Sequence, residues 1–166
     1  MTANLSPAES AVLAAIDEDA LGATLLELLA IPSVTGSAAE SECQHVLAGR
    51  LDRLGLDVDL WSMDLPELTA SPGFPGTEAP TPPGHPLPDL VRAAHAELTG
   101  RSAPQPRGAP YGSDLRLYTG AGIATVHFGP GDVRLAHGPR ERVSFTETVQ
   151  VTRALALATL RFLGPA

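Results

Sequence analysis

A single cysteine, Cys43, leaves this chain without an internal disulfide, the usage expected of a protein in a reducing compartment. Positive charge is scarce: 11 Lys and Arg stand against 19 Asp and Glu, a net charge of −8. A nucleic-acid partner calls for a basic face, so that class of function is excluded. No apolar run approaches the roughly 18 residues that a membrane-spanning helix needs, so no membrane partner is expected. The opening MTANLSPAES lacks a basic start ahead of an apolar block, and no signal peptide is expected. These absences point to a cytoplasmic protein. What is present suffices for one ordinary domain. The 166 residues are 43% hydrophobic and 18% charged, a composition that can bury a core and is not that of a disordered chain.

Taken in order, Pro7 to Ala30 reads as helix, broken near Asp17-Glu18-Asp19, because Val12, Leu13, Ile16, Leu21, Leu25 and Leu28 recur at helical spacing. Pro32 ends it. A second helix starts at Ser37, with Glu40 three residues on as a capping box, and stops at Gly55. Asp57 to Ser62 alternates polar and apolar residues and predicts a strand with one exposed face. Ser71 to Pro88 then holds seven prolines and three glycines in eighteen residues, a loop or semi-stiff join with few backbone donors. Leu87, Leu90, Val91, Ala94 and Leu98 predict an amphipathic helix ending at Gly100. A weak edge strand is expected at 103–108, where Pro104 and Pro106 forbid a central position. A last helix follows a second capping box, Ser144 to Glu147, with Val151, Ala154, Leu155, Ala158 and Phe162 on one face, and Leu157 and Leu160 making the other nearly as apolar, so it is expected to be largely buried. The organisation expected is 1–70, a join at 71–88, and 89–166.

The most informative stretch is Ala109 to Glu141, APYGSDLRLYTGAGIATVHFGPGDVRLAHGPRE. Gly112-Ser113-Asp114 supplies a turn and a helix N-cap, and Gly120 and Gly122 close the short helix that follows. Ile123 to Phe128 is short, β-rich and mostly apolar, as a strand covered on both faces would be. Gly129-Pro130-Gly131-Asp132 breaks that strand, and His137 comes four residues before Glu141. Gly129-Pro130-Gly131 is not followed directly by the helix that phosphate loops use.

The Gly-Ser-Asp loop at 112–114, the Phe-Gly-Pro-Gly turn at 128–131 and the His-x-x-x-Glu at 137–141 together resemble the zinc-dependent aminoacylase/carboxypeptidase family of acetylornithine deacetylase, succinyl-diaminopimelate desuccinylase and glutamate carboxypeptidase. The resemblance implies an α/β fold, here a three-layer sandwich remnant with a small, mostly parallel sheet and helices on both faces. It implies zinc as cofactor, His137 as a metal ligand, and Gly112, Ser113 and Asp114 as a substrate loop for small N-acyl amino acids or peptides. The family also carries a long central piece with a His-x-Asp strand, a bridging aspartate, a Glu-Glu pair and an inserted lid domain. None of it is visible here. The five histidines, His45, His85, His95, His127 and His137, all lack an Asp two positions later, and no Glu-Glu occurs. Zinc-assisted amide hydrolysis needs several ligands, an open position for water and a carboxylate base, so no catalytic residue is assigned.

Read locally, the same residues have plainer roles. His127, inside the expected strand, reads as a core histidine, and Ser113 as a cap rather than a nucleophile, with no histidine base arranged with it in the sequence. Asp114 would bond amides of its own loop. His95-Ala96-Glu97 reads as an exposed helix flank, and Cys43 as a packed thiol. Two readings of function follow. One is an internally deleted, inactive relative whose role is binding or assembly. The other is a working zinc-dependent deacylase or dipeptidase with a non-standard site, or one completed by another chain. A sheet stripped of its middle strands would leave an open edge, which favours self-association or a complementing chain.

Overall fold

The structure, a computed structural model, describes residues 4–62, 84–108 and 113–164. It divides into two units, one made of Met1–Glu18 with Pro75–Ala166, the other of Asp19–Phe74.

The first unit is a helical cluster. Helix α1 (Pro7–Ala14) is capped by a full box: the Ser6 hydroxyl accepts from the Glu9 N–H, and the Glu9 carboxylate accepts from the Ser6 N–H at 2.7 Å. Helix α4 (Pro86–Thr99) opens on two prolines in its first turn, where their missing N–H groups cost nothing, and closes at Gly100 with φ +67°. Helix α5 (Leu115–Gly120) is short, and α6 (Phe145–Leu163) is the longest. The core lies where α1 and α4 pack on α6, around Leu13, Val91, Ala94, Ala154, Leu157 and Ala158. Three alanines at this contact let the helices approach closely, since interaxial distance follows side-chain size. Leu157 fills the space between them and has no exposed surface. Arg161 then ties all three helices, donating from Nε to Glu9 at 2.6 Å and pairing through a terminal nitrogen with Glu97 at 2.8 Å.

The second unit holds the rest of α2 (Glu18–Ala30) and α3 (Ala38–Arg53), linked to each other by an Arg50–Glu27 ion pair. Ser37 caps α3 through the Glu40 N–H as expected, but the Glu40 carboxylate reaches one residue further back, to the Gly36 N–H at 2.6 Å. None of the described residues of this unit is buried, and Leu26, Leu29, Leu51, Leu54 and Trp61 are exposed.

Although the break between α1 and α2 comes at residues 15–17, ahead of the Asp17-Glu18-Asp19 expected, and Glu18 and Asp19 already belong to α2, the helices fall where the sequence placed them. The sheet does not. Among the described residues there is no strand, and the expected α/β sandwich is replaced by helices joined by irregular segments. Residues 57–62 and 123–128 have strand-like patterns but form no ladder among the described residues, and a strand takes regular form only when a neighbouring strand pairs with it. Residues 103–108 are also irregular, and the Pro104 carbonyl there accepts from Arg92 Nε at 2.7 Å. Val126 and Phe128 still pack against the helical core, but His127 between them is exposed, so it is not a core histidine. On α6 the inward line runs through Ala154, Leu157 and Ala158, while Leu155 and Phe162 stay largely exposed. The proline-rich join lies outside the described residues up to residue 83, and Pro86 to Pro88 open α4 instead. No helix among the described residues is long and apolar enough to cross a membrane.

Two measurements check this packing. Leu157→Ala removes the one large, fully buried side chain among the described residues and should cost about 2–5 kcal/mol in urea unfolding. The Glu9 carboxyl is held below its usual range, first by the Ser6 N–H and then by Arg161. A carboxyl depressed in the folded state adds stability above its unfolded value and loses it as the pH falls. The melting temperature should therefore decline from about pH 5 downward, and Glu9→Gln should melt lower at neutral pH with a flatter acid limb.

Candidate functional site

Gly112 lies outside the described residues, Ser113 and Asp114 stand immediately before α5, and His137 lies in the segment that follows α5. That segment is held from both ends. The Ile123 N–H donates to the Tyr118 carbonyl at 2.9 Å, tying the segment to the end of α5. Downstream, the Gly131 N–H donates to the Glu147 carboxylate at 3.2 Å, tying the glycine turn to the first turn of α6. Gly131 has φ +88°, a conformation that a side chain would strain. Glu147 thus completes the expected cap in one direction only: its N–H meets the Ser144 hydroxyl, while its carboxylate serves the turn.

An open cleft of about 170 Å³ lies here, lined by His95, Phe128, Gly131, Glu147 and Gln150 among others. His95 meets Phe128 edge-on, with ring centroids 5.7 Å apart, and its Nδ1 is buried with no hydrogen-bond partner. The expected exposed flank His95-Ala96-Glu97 is therefore turned partly inward, with both side chains half-buried and Glu97 paired to Arg161.

The loop from Asp132 to Glu141 spends its carboxylates on itself. Asp132 caps a 3-10 turn at Val133–Leu135 by accepting the Arg134 N–H at 3.0 Å, and its two oxygens also take the Arg134 guanidinium at 2.6–3.1 Å. The Arg134 guanidinium, followed by its backbone N–H, lowers the Asp132 carboxyl to about 2. His137 is exposed and has φ +59°, unlike any other non-glycine residue described. Its backbone N–H donates to the Glu141 carboxylate at 2.9 Å, so the four-residue spacing closes a turn. Asp114, at the N-cap of α5, makes no side-chain cap bond and is exposed. Among the described residues, no group of three or more His, Cys, Asp or Glu is placed to hold a metal ion.

Ser113 and His127 are brought together. The Ser113 hydroxyl accepts the Leu115 N–H at 3.3 Å, but from the position before the N-cap, which is Asp114 and not Ser113 as expected. It also lies 2.8 Å from His127 Nε2. The two lie fourteen positions apart, with a helix and a glycine turn between them, and no short-range signature marks such a pair. The Glu9 box carries the same Ser-x-x-Glu pattern that was read at Ser37 and Ser144 and could have been found with them.

A family model described as Peptidase family M20/M25/M40 matches residues 10–161. No curated protein and no solved structure matches the chain.

The Asp132–Arg134 pairing can be read directly. In a carboxyl-detected NMR titration Asp132 should turn near pH 2. In Arg134→Ala it should move up toward the ordinary aspartate value of about 3.9. The tie holds above the depressed value and is lost as the pH falls through it.

Proposed function

Because the chain belongs to the M20/M25/M40 peptidase family, we propose that it is an internally deleted relative of metal-dependent amidohydrolases and peptidases of the acetylornithine deacetylase type. In this reading it no longer cleaves N-acyl amino acids or small peptides, and it acts in the cytoplasm by binding or assembly.

One observation carries the proposal: the acidic residues nearest His137 in sequence are already engaged. Asp132 is held by Arg134, and Glu141 accepts the backbone N–H of His137 itself. Zinc in such hydrolases activates a water and polarises the scissile carbonyl. The described residues do not fit it, since a lone imidazole cannot replace the three or four ligands a catalytic zinc requires. The sequence agrees, having neither His-x-Asp nor Glu-Glu. Ser113 and Asp114 remain as a vestige of the loop that, in the parent arrangement, met substrate.

A metal that binds the folded state at a hundred times its dissociation constant stabilises it by about 2.7 kcal/mol. Micromolar zinc should therefore leave the melting temperature unchanged, in the parent and in His137→Ala alike, and N-acetyl amino acids should stay uncut in both. A zinc-dependent rise that disappears in His137→Ala, together with metal-dependent hydrolysis, would overturn the proposal.

A second reading, an active site completed by another chain, draws on the exposed leucines of α2 and α3 and on Trp61. Exposed apolar side chains of this number favour association. Light scattering should then show a dimer or larger species, and a stable monomer with a sharp melt would count against it.

A further inference from the structure

Ser113 and His127 form a pair that metal chemistry does not use. The backbone on either side of His127 is fixed, because Val126 and Phe128 both pack against the core of α4 and α6. Ser113 is fixed by α5, whose Thr119 is buried and bonds back to the Leu115 carbonyl at 2.9 Å. One lone pair of the Ser113 oxygen takes the Leu115 N–H. The hydroxyl proton is then the one that lies along the 2.8 Å line to His127 Nε2 when the ring carries its proton on Nδ1. Ser113 is half-buried and His127 exposed, so a small reagent can reach both.

From this geometry we propose that Ser113 is an acylable nucleophile with His127 as its general base, acting on small activated esters without a metal. Ser113 Oγ forms a bond to the acyl carbon, and its proton passes to Nε2. The bond from the acyl carbon to the leaving oxygen breaks, and that oxygen takes the proton from Nε2. Water then attacks the acyl-serine and gives one proton to Nε2. The carboxylic acid departs as the proton returns to Ser113 Oγ. The sum is ester plus water to acid plus alcohol. An amide, with its poorer leaving group, is not expected to turn over, so this activity and the absence of N-acetyl amino acid cleavage are compatible.

The test treats the full chain with an alkyl fluorophosphonate, in which Ser113 Oγ would displace fluoride at phosphorus, and locates the adduct by peptide mass spectrometry. The label should fall on Ser113 and vanish in Ser113→Ala. In His127→Gln, confirmed folded by its melting temperature, labelling should slow more than tenfold. Hydrolysis of p-nitrophenyl acetate should follow the same order and be unaffected by EDTA. A label elsewhere, no label at all, or a Ser113 label formed equally fast in His127→Gln would overturn the pair. Hydrolysis abolished by EDTA would also overturn it, and would point back to a metal site.

Discussion

A helix satisfies its own backbone, whereas a strand must borrow a neighbour. That asymmetry decides the architecture of this chain. Residues 57–62 and 123–128 have the composition of strands, but their N–H and C=O groups find no ladder among the described residues. The segments that can close their hydrogen bonds internally are the ones that take regular form. Phe128 and Val126 show what remains of a strand without a sheet: the side chains still find apolar cover, and the backbone does not become regular.

Energetically the core is small, and its parts are unequal. Burying a leucine is worth roughly 1.5–3 kcal/mol, so Leu157 alone matters to a molecule whose buried set is otherwise mostly alanine and valine. The Arg161 contacts add direction more than strength, because pairs that keep some exposure gain little net energy. They fix which faces of α1 and α4 meet α6, a choice that alanine packing leaves loose.

The sequence therefore told the helices and their caps well, and the sheet poorly. Ser37, Gly100 and Ser144 are local signals with local mechanisms, and each acts where it was expected. Alternation at 57–62 reports only a preference, since the partner that would realise it is not encoded in those six residues. On α6 nearly every face is apolar, so periodicity could not choose the inward line; Ala154 and Leu157 were selected by what packs on them. The His-x-x-x-Glu spacing looked like chemistry and closes a turn. The Ser113–His127 contact depends on how a short helix and a glycine turn fold back, which no pairwise spacing reveals.

The ion pair between Glu9 and Arg161 joins residues 152 positions apart. During synthesis at roughly 5–20 residues per second, α1 would leave the ribosome roughly 7–28 seconds before the helix it packs against. Through that interval Leu13 has no α6 to cover it, while the whole Asp19–Phe74 unit has already emerged. The first unit cannot close until α6 has been made. The interval before α6 emerges is then a period in which the apolar face of α1 stands open to whatever surrounds the nascent chain.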